Sequence, residues 1–164
     1  EQMLSMFTMI KAVLLDVDGV LTDGKKYYFE GKVAKSFSVK DGQGIKDAQE
    51  KGIIFGIITS DNWDEVKERA NHLGIKDVYI GTKDKVKAAK DFCLKYNLDL
   101  ASEVCFMGDD VNDIPILKEV YLAACVKDAV PSVHSLCNSK KGYICNTVGG
   151  SGAVRELLHF IIKN

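Results

Sequence analysis

Apolar runs alternate with amphipathic stretches along the chain. Residues 10–15 (IKAVLL), apolar apart from Lys11, predict a buried strand, followed at once by the acidic turn Asp16-Val17-Asp18-Gly19. Residues 27–39 carry aromatic and β-branched side chains broken by Glu30-Gly31-Lys32, the pattern of a β-hairpin. Residues 44–51 predict a short helix ended by Gly52, residues 53–58 a strand, and residues 62–73 a helix closed by Gly74. A short strand at 78–80 precedes a helix over 83–96, with Val86, Ala89, Phe92 and Cys93 on its apolar face. Residues 104–107 predict a strand running into Gly108-Asp109-Asp110, and a helix over 113–120 takes Pro115 into its first turn. Short strands at 122–126 and 143–145 and a helix over 152–162 close the series. Such alternation predicts an α/β architecture with a parallel sheet covered on both faces. No repeat or linker divides residues 1–164, so a single domain is expected.

Composition narrows the function classes. At 164 residues and 18.1 kDa the chain can bury one core. A net charge of −1 and a pI near 6.4 lack the basic excess of a nucleic-acid binder. Arg69 and Arg155 are the only arginines among 22 basic residues, so few planar forks exist for bidentate contacts. Five scattered cysteines without a CxxC point to a reducing cytoplasm rather than a disulfide framework or zinc site. No apolar run approaches the roughly 18 residues that span a bilayer, and residues 3–10 lack the basic region and cleavage site of a leader. The expectation is a soluble cytoplasmic protein with neither nucleic acid nor membrane as partner.

In parallel sheets the working residues lie beyond the carboxyl ends of the strands. Asp16 and Asp18 follow the first strand, Thr59 and Ser60 the second, Asp109 and Asp110 the fourth. Carboxylates sharing one crevice repel each other unless a cation sits among them. With only oxygen ligands on offer, that cation is hard, and magnesium is favoured. Lys85 can add a fixed positive charge and Thr59 a hydroxyl donor. A carboxylate nucleophile, a metal, a lysine and a hydroxyl make a phosphoryl-transfer site. Each residue also has a plainer use: a solvated turn for the first aspartates, strand-end capping for Thr59, and a helix-dipole contact for Asp113.

The chain resembles the haloacid dehalogenase-like phosphatase superfamily. The resemblance is carried by Asp16-Val17-Asp18-Gly19-Val20-Leu21-Thr22, Thr59, Lys85 and Gly108-Asp109-Asp110-Val111-Asn112-Asp113, four motifs in the right order. It implies a Rossmann-like fold, with Asp16 as the nucleophile that forms an aspartyl-phosphate and Asp18 as general acid/base. Asp16, Asp109 and the backbone carbonyl of Asp18 would hold Mg2+. Thr59 and Lys85 would bind phosphoryl oxygens, while Asp110 and Asp113 hold metal waters or the lysine. Intervals of 41 positions from Asp18 to Thr59 and 26 from Thr59 to Lys85 leave room for a hairpin flap over about 25–39 but for no cap domain.

The hairpin, residues 37–46 (FSVKDGQGIK) and the tail Gly149-Gly150-Ser151-Gly152-Ala153-Val154-Arg155-Glu156 narrow the resemblance to the 3-deoxy-octulosonate 8-phosphate phosphatases. The nonulosonate 9-phosphate phosphatases and the terminal domain of animal CMP-sialate synthetase share the pattern. The resemblance implies a homotetramer whose hairpins form a central barrel and whose neighbouring subunits close each site. It implies substrate contacts from Ser38, Lys40, Asp41, Gly42, Lys46, Ser60, Asp61, Arg69, Lys85 and Asp110. Plainer roles exist here too: solvated lysines at 40 and 46, helix capping by Asp41, and an i,i+4 pair of Arg69 with Glu65. Arg155 suits an ion pair within the last helix. The chain reads Thr59-Ser60-Asp61 where the octulosonate enzymes usually have Thr-Gly-Arg, and Ser151 replaces their common tail arginine. The acidic residue looks more like the nine-carbon branch, and Asp61, Glu65, Arg69 and His72 would share one helical face. Trp63, His134, His159 and the strand cysteines suit packing or surface roles. A phosphatase for another phosphosugar, or a silent oligomerisation module, remain the alternatives.

Overall fold

The computed structural model describes residues 10–163, so the leader expectation for residues 3–10 lies almost wholly outside the described residues. Six parallel strands form the sheet: β1 (Ala12–Leu15), β4 (Ile54–Ile58), β5 (Asp77–Tyr79), β6 (Val104–Gly108), β7 (Leu122–Cys125) and β8 (Tyr143–Ile144). Their order is β5-β4-β1-β6-β7-β8, with Ala12 paired to Ile54 on one side and to Val104 on the other. The chain winds outward from β1 to β5 and then crosses back to β6, so the order reverses beside β1. That is where an open parallel sheet places its ligand crevice. β1 and β6 are buried along their whole length, which is why both read as unbroken apolar runs.

Helices flank the sheet in two groups. α1 (Val39–Glu50) packs on α2 (Val66–Leu73) and on α7 (Ala153–Lys163), while α3 (Lys85–Tyr96) packs on α4 (Leu100–Glu103) and α5 (Ile114–Glu119). α6 (Pro131–Ser139) lies against α5 and β7. No helix among the described residues is long and apolar enough to cross a membrane.

β2 (Tyr27–Phe29) and β3 (Lys32–Ala34) make the hairpin, antiparallel and separate from the main sheet. Its two-residue turn, Glu30-Gly31, has positive φ at both positions (48° and 75°), the twist that matches paired strands. The strands stop at Ala34, short of the predicted 39, because Ser38 starts a helix there. The Ser38 side chain accepts from Asp41 N at 3.3 Å, and α1 therefore begins at Val39 rather than 44.

The helix expected from residue 62 starts at Val66, because Asp61 and Trp63 are engaged by the hairpin. Asp61 is therefore not on the helical face with Glu65, Arg69 and His72. α6 was not anticipated, although Pro131 at its first turn and buried Val133 and Cys137 four residues apart carried the signal.

Candidate active site

Asp16 leaves the end of β1 with its N–H donating to Met107 O at 3.2 Å. Its Oδ1 accepts from Val17 N at 2.7 Å and lies 3.1 Å from Lys85 Nζ. The wide turn Val17–Leu21 follows and is tied by Thr22, which is fully buried. Thr22 Oγ1 accepts from Gly19 N (3.3 Å) and Gly24 N (3.1 Å) and donates to Val17 O (3.4 Å). In the sequence Thr22 is only one letter of a motif; its hydroxyl holds the turn after β1 in shape. Gly19 sits at φ 81°, and a Cβ there would fall 1.9 Å from Asp109 Oδ2, so a side chain would be strained and would have to displace that carboxylate.

The loop after β6 is organised by Asp113. Its Oδ1 lies 2.7 Å from Lys85 Nζ, and its Oδ2 accepts from Asp109 N (2.9 Å) and Asp110 N (3.3 Å). The Asp110 side chain accepts from Val111 N at 2.7 Å and from the Asp113 backbone N–H, which with the Asp113 bond to Asp110 N makes a reciprocal cap. Lys85 opens α3, and its side chain is 2% exposed. After β4, Thr59 Oγ1 accepts from Asp61 N at 3.3 Å, while Ser60 Oγ donates to Thr82 O and accepts from Asn112 Nδ2, both at 3.1 Å. These three strand ends enclose a cavity of about 210 Å³ lined by Asp16, Asp18, Thr59, Ser60, Asp109 and Asp110, among others.

The electrostatics are unbalanced. Carboxylate oxygens of Asp16, Asp109 and Asp113 all lie within 4.8 Å of one another. Burial, then repulsion from Asp113, holds the Asp16 carboxyl well above the ordinary range, against the pull of Lys85. The same two causes push Asp109 up to about 7. Burial works against the Lys85 charge, but Asp16 and Asp113 overcome it and hold its pKa above the ordinary value. Asp113 already uses both oxygens on Lys85 and two amides, which leaves Asp16 and Asp109 as an all-oxygen pair with excess negative charge. Such a pair fits a hard divalent cation.

Asp18 is placed differently from its neighbours. Its carboxylate lines the same cavity but pairs with Lys35, at 2.8 Å, outside the three-carboxylate cluster, which leaves its backbone carbonyl for the expected metal role. Asp61 lines the same cavity and also pairs with Lys35, at 2.7 Å. Lys35 is the residue that sequence reasoning missed, being one lysine among many at the end of an exposed strand.

The remaining expected substrate residues lie outside this cavity. Ser38 caps α1. Asp41 is 1% exposed; it accepts from Arg155 N at 2.9 Å at the start of α7, and burial raises its pKa although the amides of Arg155, Val154 and Gly152 oppose this. It caps a helix, but α7 rather than its own. Arg155 donates through Nη1 to Lys40 O (3.3 Å) instead of pairing within its helix. Arg69 donates to Ser38 O (3.2 Å) and lies over Phe37 (5.2 Å) rather than beside Glu65. Gly42 is buried beneath Arg69, and Lys40 and Lys46 are exposed. The tail reaches the catalytic turn, with Gly150 N donating to Val20 O at 3.2 Å.

Comparison with known proteins agrees with this geometry. Residues 38–120 match the haloacid dehalogenase-like hydrolases. The chain is 38% identical over 155 residues to the 3-deoxy-D-manno-octulosonate 8-phosphate phosphatase of Salmonella typhi, covering 93% of this chain and 79% of that one. Among solved structures, the same phosphatase from Yersinia pestis superposes with a TM-score of 0.90 at 34% identity, over 97% of this chain and 84% of that one. The Moraxella catarrhalis enzyme, solved with magnesium, phosphate and the octulosonate sugar, gives 0.91 at 32% identity over 99% and 91%. With similarity along most of both chains and four motifs meeting at one crevice, this chain belongs to the haloacid dehalogenase-like hydrolases.

Proposed function

We propose that this chain is a magnesium-dependent phosphatase that releases phosphate from a 2-keto-3-deoxy sugar acid phosphate, with 3-deoxy-octulosonate 8-phosphate as its substrate. One observation carries the reading: Asp16, Thr59 and Asp109 open on one small cavity with Lys85 paired beneath Asp16, in a chain 38% identical to phosphatases of that ester.

Asp16 is the nucleophile, its Oδ1 held by the Val17 amide and by Lys85 Nζ. It forms a bond to phosphorus as the bond to the sugar oxygen breaks, and protonated Asp18 gives its proton to that oxygen. A water then loses a proton to Asp18 and attacks the aspartyl-phosphate at phosphorus, which frees inorganic phosphate and restores the Asp16 carboxylate. Lys85 and Thr59 bind phosphoryl oxygens. Asp16, Asp109 and the Asp18 carbonyl would hold Mg2+, which when bound supplies positive charge to the phosphoryl oxygens and screens the nucleophile from an anionic ester.

Ser60, Asp61 and Asp110 stand at the mouth where the sugar would lie. The acidic residue at 61 that pointed to a nine-carbon ester pairs with Lys35 and Lys26 through Oδ2 alone and lines the cavity. The eight-carbon ester is favoured by the 38% identity to phosphatases of that ester. Tyr28 and Phe29 of the hairpin are 76% and 72% exposed, which supports assembly through the hairpins into a homotetramer. Lys40 and Lys46 would then reach a sugar only in a neighbouring subunit's site. Five free, buried cysteines suit the reducing cytoplasm.

The test is phosphate release with magnesium from octulosonate 8-phosphate and nonulosonate 9-phosphate side by side, with Asp16→Asn as the blank. Preference for the eight-carbon ester is the expected result. Preference for the nine-carbon ester would overturn the substrate assignment, and inactivity of a folded, magnesium-binding protein on both would leave another phosphosugar or a silent module.

A further inference from the structure

Lys35 is the first residue after β3, and its side chain is 1% exposed. Its Nζ lies 2.8 Å from Asp18 Oδ1, 3.1 Å from Asp18 Oδ2 and 2.7 Å from Asp61 Oδ2. Below it is the Trp63 ring, 4.7 Å from Nζ to centroid, and Phe37 stacks on that ring at 6.2 Å. The other cation near Asp61 is Lys26, more distant at 3.7 Å and on an exposed side chain. A lysine ammonium has three donors on a flexible stem and ordinarily points one way only when packing holds it. Here an indole face and two carboxylates from different strand ends hold it.

The two carboxylates have different duties. Asp18 belongs to the catalytic turn after β1; Asp61 belongs to the loop after β4. A single buried ammonium joins them. We propose that Lys35 is a positioning residue, orienting the Asp18 carboxylate for proton transfer and transmitting to it the identity of the residue at position 61. Asp61 thus acts on the chemistry through Lys35 and not by touching the sugar. The proposal rests on the phosphatase reading, which gives Asp18 its acid/base role. An acid's direction matters most where the proton is in flight, so the effect falls on the transition state more than on substrate binding.

The experiment measures kcat and KM for Lys35→Met, Asp61→Asn and the double variant, with the octulosonate ester and with p-nitrophenyl phosphate. Lys35→Met should lower kcat by about 10- to 100-fold, a part of the 10²–10⁴ contributed by a placed acid–base group, with KM within about twofold. Asp61→Asn should lower kcat several-fold in the native background and leave it unchanged in the Lys35→Met background. An Asp61 effect on KM that persists without Lys35 would show direct sugar contact and overturn the proposal, as would an unchanged kcat in Lys35→Met. Lys35→Arg is the second variant: it keeps the charge but replaces a point donor by a planar fork, so kcat should fall while the thermal midpoint is retained. The Lys35 ammonium is also followed by 1H–15N correlation, where Asp18→Asn and Asp61→Asn should each shift its signal. A signal that ignores either one removes the bridge. If the wild type hydrolyses no ester at all, the phosphatase reading fails and the catalytic role falls with it, while the ammonium signal still decides the bridge.

Discussion

Lys85 and Asp113 form a buried ion pair at 2.7 Å, their side chains 2% and 0% exposed. The pair joins the start of α3 to the loop after β6, and Asp16 shares the same ammonium at 3.1 Å. Two carboxylates thus hold one lysine beneath the crevice. Removing Asp113 leaves Lys85 the Asp16 carboxylate but strands the Asp109 and Asp110 amides, at a cost of about 1–3 kcal/mol. Asp113→Ala should therefore lower the unfolding free energy by that amount, read from the midpoint of urea denaturation. A loss below about 1 kcal/mol would show the pair to be no more than a surface contact.

Asp109 predicts a pH dependence whose sign is opposite to the usual carboxylate. Its folded pKa is raised to about 7 from an ordinary 3.8, so between those values the folded state binds more protons than the unfolded one. The contribution of this group to stability is full at low pH and falls as pH rises toward 7. Asp109→Asn removes the titration. Without metal, its thermal midpoint should exceed that of the wild type, by more at pH 7.5 than at pH 4.5. Magnesium added at pH 7.5 should raise the wild type and not the variant. A gap that shrinks as pH rises would sink this account.

Gly19 marks how closely the two acidic loops approach. A methyl group there would meet Asp109 Oδ2 at 1.9 Å on a backbone already at φ 81°. Gly19→Ala must displace the Asp109 carboxylate, the strand end behind it being fully buried. Titration calorimetry with magnesium should show affinity reduced by about tenfold, about 1.4 kcal/mol, because the displaced carboxylate no longer meets the ion. Unchanged affinity would mean that Asp109 is not a ligand.

The sheet and the acidic crevice were legible because strands buried on both faces leave continuous apolar runs, and because loops at strand ends carry polar residues with no packing reason to be there. Asp16, Thr59 and Asp109 could be placed at strand ends, and the four-motif resemblance added Lys85 to them. Contacts between segments distant in sequence were not legible. Asp41 lies 114 positions from the Arg155 amide it caps, and no local pattern distinguishes it from a capping residue of its own helix. Lys35 was hidden for a related reason, since it is buried by Trp63 and by two carboxylates that the chain brings from other strands. The late start of α2 follows from that same contact, which overrides the propensity of residues 62–65.

Asp41 supplies the prediction that separates a structural from a substrate role. Its Oδ1 accepts from the Arg155 amide, in the first turn of α7, in place of a cap from α7's own chain. Asp41→Asn retains an acceptor oxygen and should fold with nearly native stability. Asp41→Ala leaves that amide unpaired and should cost about 1–3 kcal/mol, with faster hydrogen exchange confined to the first turn of α7. KM for the phosphate ester should stay within about twofold in Asp41→Asn. A KM raised about tenfold in that variant, at unchanged stability, would return Asp41 to the substrate.

The hairpin gives the last prediction. Among the described residues β2 and β3 pair only with each other, and Tyr27, Tyr28 and Phe29 are all exposed. A two-stranded ribbon is marginal in water and gains stability by packing its aromatic face against something. Full burial of one such side chain contributes roughly 1.5–3 kcal/mol, so hairpins contributed by several subunits would bury enough to hold an assembly. Sedimentation should give four times the 18.1 kDa subunit mass for the wild type. Tyr28→Lys combined with Phe29→Lys should give the single subunit, since like charges would face each other at the contact. The Lys85–Asp113 core is remote from that substitution, so the thermal unfolding of the isolated subunit should still be cooperative. A wild type that sediments as one subunit would refute assembly through the hairpin, whatever the variant does.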